Sequence, residues 1–420
     1  MKLINISSRS ARAKLDELFA RRNQSYERAI PVARRIVSSV RKGGDTTLRR
    51  YASRLDGITP HSPLCISSDE LSAAWAAAPA ALKAALQTAA RNIRAFAQRQ
   101  LPKEWSFAPV PGLSVGQLIR PLDAVGCYVP GGRYPLPSTL LMTVIPAQVA
   151  GVPRIVVASP RPAPETLAAA AMLGVTEFYR FGGAHAIAAL AYGTGSIAPV
   201  NKIVGPGNAY VTAAKRLVAF DCAIDMLAGP TEIVVASDNG NPQWIASDLV
   251  AQAEHDPDTL AVFVTTSDTL ARTVVSEAKR QARNNPIARE ALRLNGYAIV
   301  TQTSDEAHDI TNRLAPEHLT VDSDADLAWV RNAGSVFVGP HSTQPLGDYI
   351  SGPNHTLPTC ALASVRGGLS VTDFLKVITV QQYAPAGINK LGPAAVILAE
   401  AEGLHGHAAA IRARLEAARA

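Results

Sequence analysis

The chain has 420 residues, of which 47% are hydrophobic and 18% are charged, and these proportions predict a globular protein with enough chain for two domains. The formal net charge is +7, but the basic residues are scattered and form no block interleaved with aromatic residues, which argues against nucleic-acid binding. Residues 136–159 are the most apolar stretch, and Pro146, Pro153 and Arg154 interrupt it, so we expect no membrane span.

The cysteines and the N-terminus predict a cytoplasmic protein. Cys65, Cys127, Cys222 and Cys360 lie far apart without a Cys-x-x-Cys motif, which fits a reducing compartment and excludes a thiolate zinc finger. Residues 1–22 contain no apolar core of signal-peptide length.

The first 105 residues show apolar residues at three- and four-residue spacing, which is typical of helices. The predicted helices cover residues 11–22, 26–42, 46–54 and 68–100. No pattern in this region indicates chemistry, and we expect it to wrap around the rest of the chain and to support dimerisation.

From about residue 120, short β-branched runs alternate with alanine-rich helical segments. The first set predicts strands at 124–129, 154–158, 177–181 and 202–204, with helices at 138–150, 163–173, 184–192 and 209–217. The second set predicts strands at 232–236, 261–265, 297–301, 318–321 and 335–338, with helices at 244–254, 270–283, 305–314 and 327–331. This rhythm predicts two open α/β domains with parallel sheets and ligands at the carboxyl ends of the strands. A helical tail follows residue 368, with helices at 370–381, 393–402 and 407–419.

Gln252 and His255 lie at the C-terminal end of the predicted helix that begins near Pro242. Their spacing places both side chains on one helix face, where an amide oxygen and an imidazole nitrogen can form half of a divalent-metal site. A solvated helix face is the alternative. The last third of the chain supplies further donors, namely Glu317, His318, Asp348, His355, His405 and His407.

Three glycine-containing turns are candidates for ligand contact. Residues 126–132 (Gly-Cys-Tyr-Val-Pro-Gly-Gly) follow a predicted strand and include Tyr128, which offers a flat ring and a hydroxyl. Residues 205–208 (Gly-Pro-Gly-Asn) precede a helix, so their N–H groups could face a phosphate. Residues 182–185 end in His185. None of the three matches the dinucleotide fingerprint, and tight turns are the alternative.

Glu317 and His318 are adjacent at a predicted helix-to-strand junction. A carboxylate and an imidazole side by side can divide two proton-transfer tasks between them. A solvated loop pair is the alternative.

A Gly/Pro-rich loop at 347–355 contains Asp348, which offers a hard oxygen to a metal, and His355, which is alternatively a structural hydrogen-bond partner. Glu402 and His407 are distant in sequence from the other candidates. Their use in the same site requires the tail to fold back or to enter a neighbouring subunit.

Taken in order, these stretches resemble the histidinol dehydrogenase family from about residue 25 to 415. The signatures are Gly-Cys-Tyr-Val-Pro-Gly-Gly at 126–132, Lys-Ile-Val-Gly-Pro-Gly-Asn at 202–208, Leu-Ala-Gly-Pro-Thr-Glu at 227–232, Gln-Ala-Glu-His at 252–255, Ala-Pro-Glu-His-Leu at 315–319, and Gly-Asp-Tyr through Asn-His at 347–355. The resemblance implies a zinc enzyme that oxidises L-histidinol to L-histidine through the aldehyde and reduces two NAD⁺. It also implies an intertwined homodimer.

The resemblance assigns a role to individual residues. The implied metal ligands are Gln252, His255, Asp348 and His407, and the implied catalytic pair is Glu317 and His318. The implied substrate contacts are Thr231, His355 and Glu402 together with the metal ligands and His318. The implied NAD contacts are Tyr128, His185 and Asn208. Because the family's dimer is intertwined, the tail's Glu402 and His407 are expected to enter the site of the other subunit.

The chemistry of this assignment is consistent. His318 has a suitable ordinary pKa to take the alcohol proton in the first oxidation, and Glu317 can activate the water that adds to the aldehyde. Zinc would chiefly position the substrate and retain the aldehyde between steps. Three details depart from the family. His185 replaces a glutamine, Thr231 replaces the serine of some members, and His405 competes with His407, which we prefer for its spacing after Glu402.

We therefore predict two Rossmann-like α/β domains between an N-terminal helical segment and a C-terminal helical tail. The expected boundaries are an arm at 1–22, a metal-binding catalytic domain at 23–127 and 231–369, an NAD-side domain at 128–230, and an exchanged tail at 370–420. One rival is a paralogue that uses the same zinc and NAD machinery on another polar alcohol, such as a sulfonated diol. A second rival is a non-catalytic metal-binding or scaffold protein on the same fold, and a scaffold has no need of the Glu317–His318 pair.

Overall fold

The computed structural model describes residues 1–6, 13, 15–19, 26–59, 61–131 and 134–418. Half of the predicted helix over 11–22 (residues 11, 12, 14 and 20–22), and the glycine at position 132, lie outside the described residues, and the described residues 13 and 15–19 are helical. The chain divides into two compact units. Unit 1 comprises Met1–Arg99 and Asp123–Phe374, and unit 2 comprises Gln100–Leu122 and Leu375–Ala420.

The helices of unit 1 cover both of its sheets. They are α1 (Ile30–Tyr51), α2 (Ser68–Ala77), α3 (Ala80–Arg99), α4 (Pro137–Ala150), α5 (Pro164–Met172), α6 (Gly183–Tyr192), α7 (Ala209–Val218), α8 (Pro242–Ala253), α9 (Asp268–Gln281), α10 (Pro286–Asn295), α11 (Ser304–Leu314) and α12 (Gln344–Tyr349). Unit 2 contains α13 (Pro385–Ala401) and α14 (His405–Ala417).

One parallel sheet of unit 1 includes a strand that begins at His318. Its strands are β1 (Lys2–Asn5), β9 (Glu232–Ala236), β10 (Leu260–Thr265), β11 (Gly296–Val300), β12 (His318–Val321) and β13 (Ser335–Val338). Within the described residues it has six strands in the order β1-β11-β10-β9-β12-β13. Phe263 of β10 packs against α8, α9 and α10, whereas Val262 and Val264 pack against α11 on the other face. Burial on both faces accounts for the uninterrupted apolar runs in these strands.

The second parallel sheet of unit 1 is built from β4 (Ala124–Tyr128), β5 (Arg154–Ala158), β6 (Glu177–Tyr179), β7 (Lys202–Val204) and β8 (Ala223–Ile224). Its described strands run in the order β6-β5-β4-β7-β8. Fully buried alanines of α6 and α7, such as Ala186, Ala189 and Ala213, contribute to its core. Small side chains let helices lie close to a sheet, which accounts for the alanine-rich sequence here.

Unit 2 has an antiparallel sheet of β2 (Trp105–Val110), β3 (Leu113–Pro121) and β14 (Leu375–Tyr383), in the order β14-β3-β2. Helices α13 and α14 pack through Val396, Ala399, Ala408 and Leu415. Several large apolar side chains of this unit are exposed, among them Trp105, Phe107, Val377 and Leu398. Within the described residues, no helix is both long and apolar enough to cross a membrane.

The predicted α/β class with two parallel sheets is confirmed, and several predicted elements are corrected. The single helix predicted over 68–100 is two helices, because Pro79 falls between α2 and α3. The helix predicted over 370–381 is wrong, since this segment forms a 3₁₀ turn (Val371–Phe374) and then β14. The helix predicted over 327–331 is instead a 3₁₀ turn at Asp324–Ala328. Strands β1, β2, β3 and β8 and helices α10 and α12 were not predicted, and the loop predicted at 347–355 begins within α12.

The predicted domain boundaries stay a prediction, although two features of the sheets bear on them. Strand β4 extends to Tyr128, so the predicted boundary between residues 127 and 128 falls within a strand. Strand β1, in the predicted arm, pairs with β11 along Lys2–Asn5.

Candidate active site

A cleft of about 470 Å³ in unit 1 is lined from both parallel sheets. Gly205 and Asn208 follow β7 at the carboxyl end of the five-stranded sheet, whereas Thr231 precedes β9 and His318 begins β12 at the amino ends of the six-stranded sheet. The six-stranded sheet thus differs from the arrangement predicted, in which ligand groups lie at carboxyl ends. The reason is that α8 runs back from the end of β9 toward the start of β10 and delivers Gln252 there.

A chain of hydrogen bonds links Gln252 to the predicted catalytic carboxylate. The Nε2 of Gln252 donates to the Oγ1 of Thr231, and that hydroxyl donates to the Oε2 of Glu317. The backbone N–H of Glu232 also donates to this Oε2, at 2.9 Å. The Oε1 of Gln252 is buried without a hydrogen-bond partner, in a side chain that is 1% exposed. A buried amide oxygen in this state is suited to a ligand that binds there.

His318 is buried between two carboxylates. Its Nδ1 donates to the carbonyl oxygen of Glu232 at 3.1 Å and lies 3.7 Å from the Oε2 of Glu317. Its Nε2 lies 3.4 Å from the Oδ1 of Asp348. Because Nδ1 holds a proton toward the carbonyl, Nε2 is the nitrogen that can exchange a proton with a substrate.

The pKa values of both members of this pair are raised above their ordinary values, for different reasons. Burial raises the pKa of Glu317 to about 7, although the charge of His318 and the bond from Thr231 oppose the rise. Burial alone lowers the pKa of His318, but Glu317 and Asp348 outweigh it and raise that pKa to about 9. Two groups with displaced pKa values in one cleft are typical of acid–base catalysis.

Asp348 lies on the short helix α12, where its Oδ2 accepts a hydrogen bond from the Nε2 of Gln344. His318 outweighs the effect of burial and holds the pKa of Asp348 below its ordinary value. His355 donates from Nδ1 to the carbonyl oxygen of Asp348 at 2.7 Å, and its Nε2 lies 3.3 Å from the Oγ1 of Thr139. The hydrogen bond from His355 therefore braces the backbone that carries Asp348. Burial lowers the pKa of His355.

The side chains around the cleft fit a divalent metal, although no three His, Cys, Asp or Glu side chains of the described residues form a metal-holding group. Gln252, His255 and Asp348 all line the same cleft. They present an amide oxygen, an imidazole and a carboxylate, which is a donor set that zinc accepts, and the amide oxygen of Gln252 has no partner in the protein.

Of the three predicted cofactor-side residues, Asn208 lines the cleft, whereas Tyr128 and His185 are buried. Tyr128 is buried at the end of β4, and its hydroxyl accepts a hydrogen bond from the N–H of Gly183 at 3.1 Å. Asn208 caps α7 and lines the cleft. His185 is 1% exposed, and its Nε2 lies 2.8 Å from the Oδ2 of Asp56.

Two buried acidic residues that hold these turns were not singled out in the sequence. Asp225 accepts from the Nζ of Lys215 and from the backbone N–H of Gly205 at 2.7 Å. Asp56 accepts from His185 and from the N–H of Gly182 at 3.2 Å. Neither pairing has a periodic signal in the sequence, because the partners meet only through the tertiary fold.

The two tail residues belong to unit 2. Glu402 follows α13 and His407 lies in α14, and both side chains are exposed, as is that of His405. Their predicted contribution to a site of another subunit stays a prediction.

The parallel α/β architecture and the buried carboxylate–imidazole pair define an α/β enzyme built for acid–base chemistry. A family model described as histidinol dehydrogenase matches residues 19–415. The histidinol dehydrogenase of Geobacillus kaustophilus is 48% identical over 393 residues, which cover 91% of this chain and 92% of the relative. That of Methanothermobacter thermautotrophicus is 44% identical over 415 residues, which cover 96% and 97%.

A solved structure has the same fold. The crystal structure of histidinol dehydrogenase from Elizabethkingia anophelis superposes with a TM-score of 0.94 at 35% identity and covers 100% of this chain and 99% of its own. The chain belongs to the histidinol dehydrogenase family. It is therefore an oxidoreductase, and its family places it in histidine biosynthesis.

Proposed function

We propose that the protein oxidises L-histidinol through L-histidinaldehyde to L-histidine and reduces two NAD⁺. The observation that carries the proposal is the buried Glu317–His318 pair, which lies beside Asp348 and is bonded through Thr231 to Gln252. The full-length likeness to proteins named histidinol dehydrogenase supports the choice of substrate.

Gln252, His255 and Asp348 would hold a zinc ion, together with His407 of the partner subunit. The donor types and the partnerless Oε1 of Gln252 support this set. When bound, zinc supplies a positive template for the polar groups of an amino alcohol, and NAD⁺ supplies the hydride acceptor.

The chain's own residues supply the proton transfers. In the first oxidation, the Nε2 of His318 takes the hydroxyl proton as hydride leaves the carbinol carbon. In the second, the carboxylate of Glu317 takes a proton from the water that adds to the aldehyde carbon. The bonds from Thr231 and Glu232 both end on Oε2 and leave Oε1 as the oxygen for that water.

Tyr128, Asn208 and the turn at 205–208 would contact NAD⁺. Support comes from the turn at 205–208, which lines the cleft and leads into α7, so that backbone N–H groups there can face a phosphate. His185 would act on this side through its contacts with Asp56 and the turn at 182–183, rather than from the cleft itself.

The functional form would be a cytoplasmic homodimer in which Glu402 and His407 complete the site of the other subunit. Exposed apolar side chains of unit 2, among them Trp105, Phe107, Val377 and Leu398, support a surface that a second copy covers. None of the four cysteines, all within the described residues, forms a disulfide, which supports a reducing compartment.

A turnover assay tests the proposed substrate. The purified protein is expected to form two NADH per L-histidinol consumed, with L-histidine as the product. The rival function, oxidation of a sulfonated diol, has no support from the relatives, which are named histidinol dehydrogenases. No turnover of histidinol beside turnover of such a diol would replace the proposal by this rival.

A further inference from the structure

Helix α12 carries Asp348 and, one turn before it, a buried glutamine with no place in the reaction described above. Gln344 is 1% exposed, and its Nε2 donates to the Oδ2 of Asp348 four residues later. We propose that Gln344 is a positioning residue for Asp348, which fixes the carboxylate so that its other oxygen is presented to the metal. This inference rests on the proposed zinc site.

The argument starts from the two oxygens of the carboxylate. Gln344 occupies Oδ2, and Oδ1 lies 3.4 Å from the Nε2 of His318, on the cleft side. Without the amide donor, Oδ2 loses the side-chain hydrogen bond that holds the carboxylate in one rotamer. A buried carboxylate oxygen without a hydrogen-bond donor raises the free energy of the folded protein. The carboxylate of Asp348 is then expected to turn toward other donors, so that Oδ1 is less well oriented toward the metal.

Helix α12, which carries both residues, is linked by a hydrogen bond to α8, the helix that carries Gln252. The Oγ1 of Thr343 donates to the Oδ1 of Asp248 at 2.6 Å. Asp248 lies one turn before Gln252 on α8. The hydrogen bond therefore sets the distance between the two helices that carry Gln252 and Asp348, while Gln344 sets the orientation of the carboxylate within that frame.

The expected effect is on metal affinity. Partners that orient a ligand typically change metal affinity about 10- to 100-fold when they are removed. Gln344→Met keeps the length and volume of the side chain but removes the donor, so its zinc Kd is expected to rise by about this factor. Thermal unfolding of the zinc-free protein reports any general loss of stability.

Gln148→Met is the matched control. Gln148 on α4 is a half-buried amide that donates to the carbonyl oxygen of Leu173 at 2.7 Å and accepts from Arg94 at 2.8 Å. Its loss removes internal hydrogen bonds but none to Asp348. Gln148→Met is therefore expected to bind zinc with wild-type affinity.

Zinc Kd values from chelator competition on the full-length wild type, Gln344→Met, Gln148→Met and Asp348→Ala test the proposal. Wild-type affinity in Gln344→Met, beside loss of zinc in Asp348→Ala, would overturn the role of Gln344 and leave the proposed metal site intact. Wild-type affinity in Asp348→Ala would overturn both. Should Gln344→Met fail to fold, a crystal structure of the wild type with zinc decides. If Gln344 donates a hydrogen bond to the oxygen of Asp348 that faces away from zinc, the proposal is supported. If the side chain of Gln344 makes no hydrogen bond to Asp348, the proposal is overturned.

Discussion

Thr231 illustrates how much a single hydroxyl contributes to the site. It is the middle member of the chain from Gln252 to Glu317. An ionised Glu317 only accepts hydrogen bonds, so the hydroxyl proton of Thr231 points to it. A lone pair of the Thr231 oxygen then accepts the hydrogen bond from the Nε2 of Gln252. Because Nε2 faces Thr231, the Oε1 of Gln252 points away from it. One hydroxyl thus orients both a proposed metal ligand and the proposed base.

Thr231→Val keeps the shape of the side chain but removes the hydroxyl, and so interrupts the hydrogen bonds that link Gln252 to Glu317. The variant is expected to lose about 10-fold or more in zinc affinity and in kcat, because the amide and the carboxylate both lose their common partner. Thr231→Ser retains the hydroxyl and is expected to remain close to wild type in both measurements. Equal zinc affinity and kcat in Thr231→Val and wild type would contradict the orienting role.

The pKa values of Glu317 and His318 predict a different pH dependence for each oxidation. Glu317 must be ionised to take a proton, and burial raises its pKa to about 7, so oxidation of L-histidinaldehyde is expected to rise with pH through about 7. His318 must be neutral, and the nearby carboxylates raise its pKa to about 9, so oxidation of L-histidinol is expected to rise through about 9.

Profiles of kcat/KM against pH for the two substrates measure this difference. Glu317→Gln is the control, since an amide cannot take the proton. It is expected to slow aldehyde oxidation about 10²- to 10⁴-fold and to remove the rise near pH 7. A profile of wild-type aldehyde oxidation that stays flat through this range would show that Glu317 is not the base.

At the scale of elements, the closeness of α12 to β13 depends on one glycine. A Cβ at Gly347 would lie 2.6 Å from the ring of Phe337 on β13, and that ring is 6.0 Å from the ring of His318. Gly347→Ala is therefore expected to push α12 away from the strand. The cost is about 1–3 kcal/mol of unfolding free energy, with weaker zinc binding because Asp348 moves with the helix.

Gly367→Ala is the control for this substitution, because a Cβ at Gly367 meets nothing within 4 Å. Denaturant unfolding and zinc titration of both variants give the comparison. Equal unfolding free energies for the two alanine variants would contradict the tight packing of α12 on β13.

The elements also show where prediction from the sequence succeeds and where it stops. Strands such as β10 were predicted because burial on both faces leaves an uninterrupted apolar run. The segment 370–381 was predicted as a helix, although its run of Val377, Ile378, Thr379 and Val380 favours the strand that it forms beside β3. In the site, the sequence did not indicate Gln344, because this glutamine gains its proposed role only through its hydrogen bond to Asp348 in the folded chain.

At the scale of the whole molecule, the proposed ligand set includes one residue of the C-terminal tail. Gln252, His255 and Asp348 belong to unit 1, and His407 belongs to unit 2. The resemblance to an intertwined dimer predicts that His407 serves the other subunit. An exchanged tail is a property of two chains, so its test needs two kinds of subunit.

Complementation between two inactive variants decides whether the tail is exchanged. Asp348→Ala and His407→Ala homodimers are each expected to lack turnover, since every site lacks one ligand. If the tail is exchanged, a mixed dimer has one site that combines the intact Asp348 of one subunit with the partner's His407. Random reassembly of equal amounts makes half of the dimers mixed, so about one quarter of the wild-type activity is expected.

His405→Ala is the control, because His405 is expected to be dispensable for zinc and turnover. If each tail instead served its own subunit, the mixed dimer would contain no complete site and the mixture would stay inactive. Zinc content separates the same alternatives, since mixed dimers with an exchanged tail bind about one zinc in the intact site. Activity without reassembly, in a His407→Ala homodimer alone, would remove His407 from the ligand set.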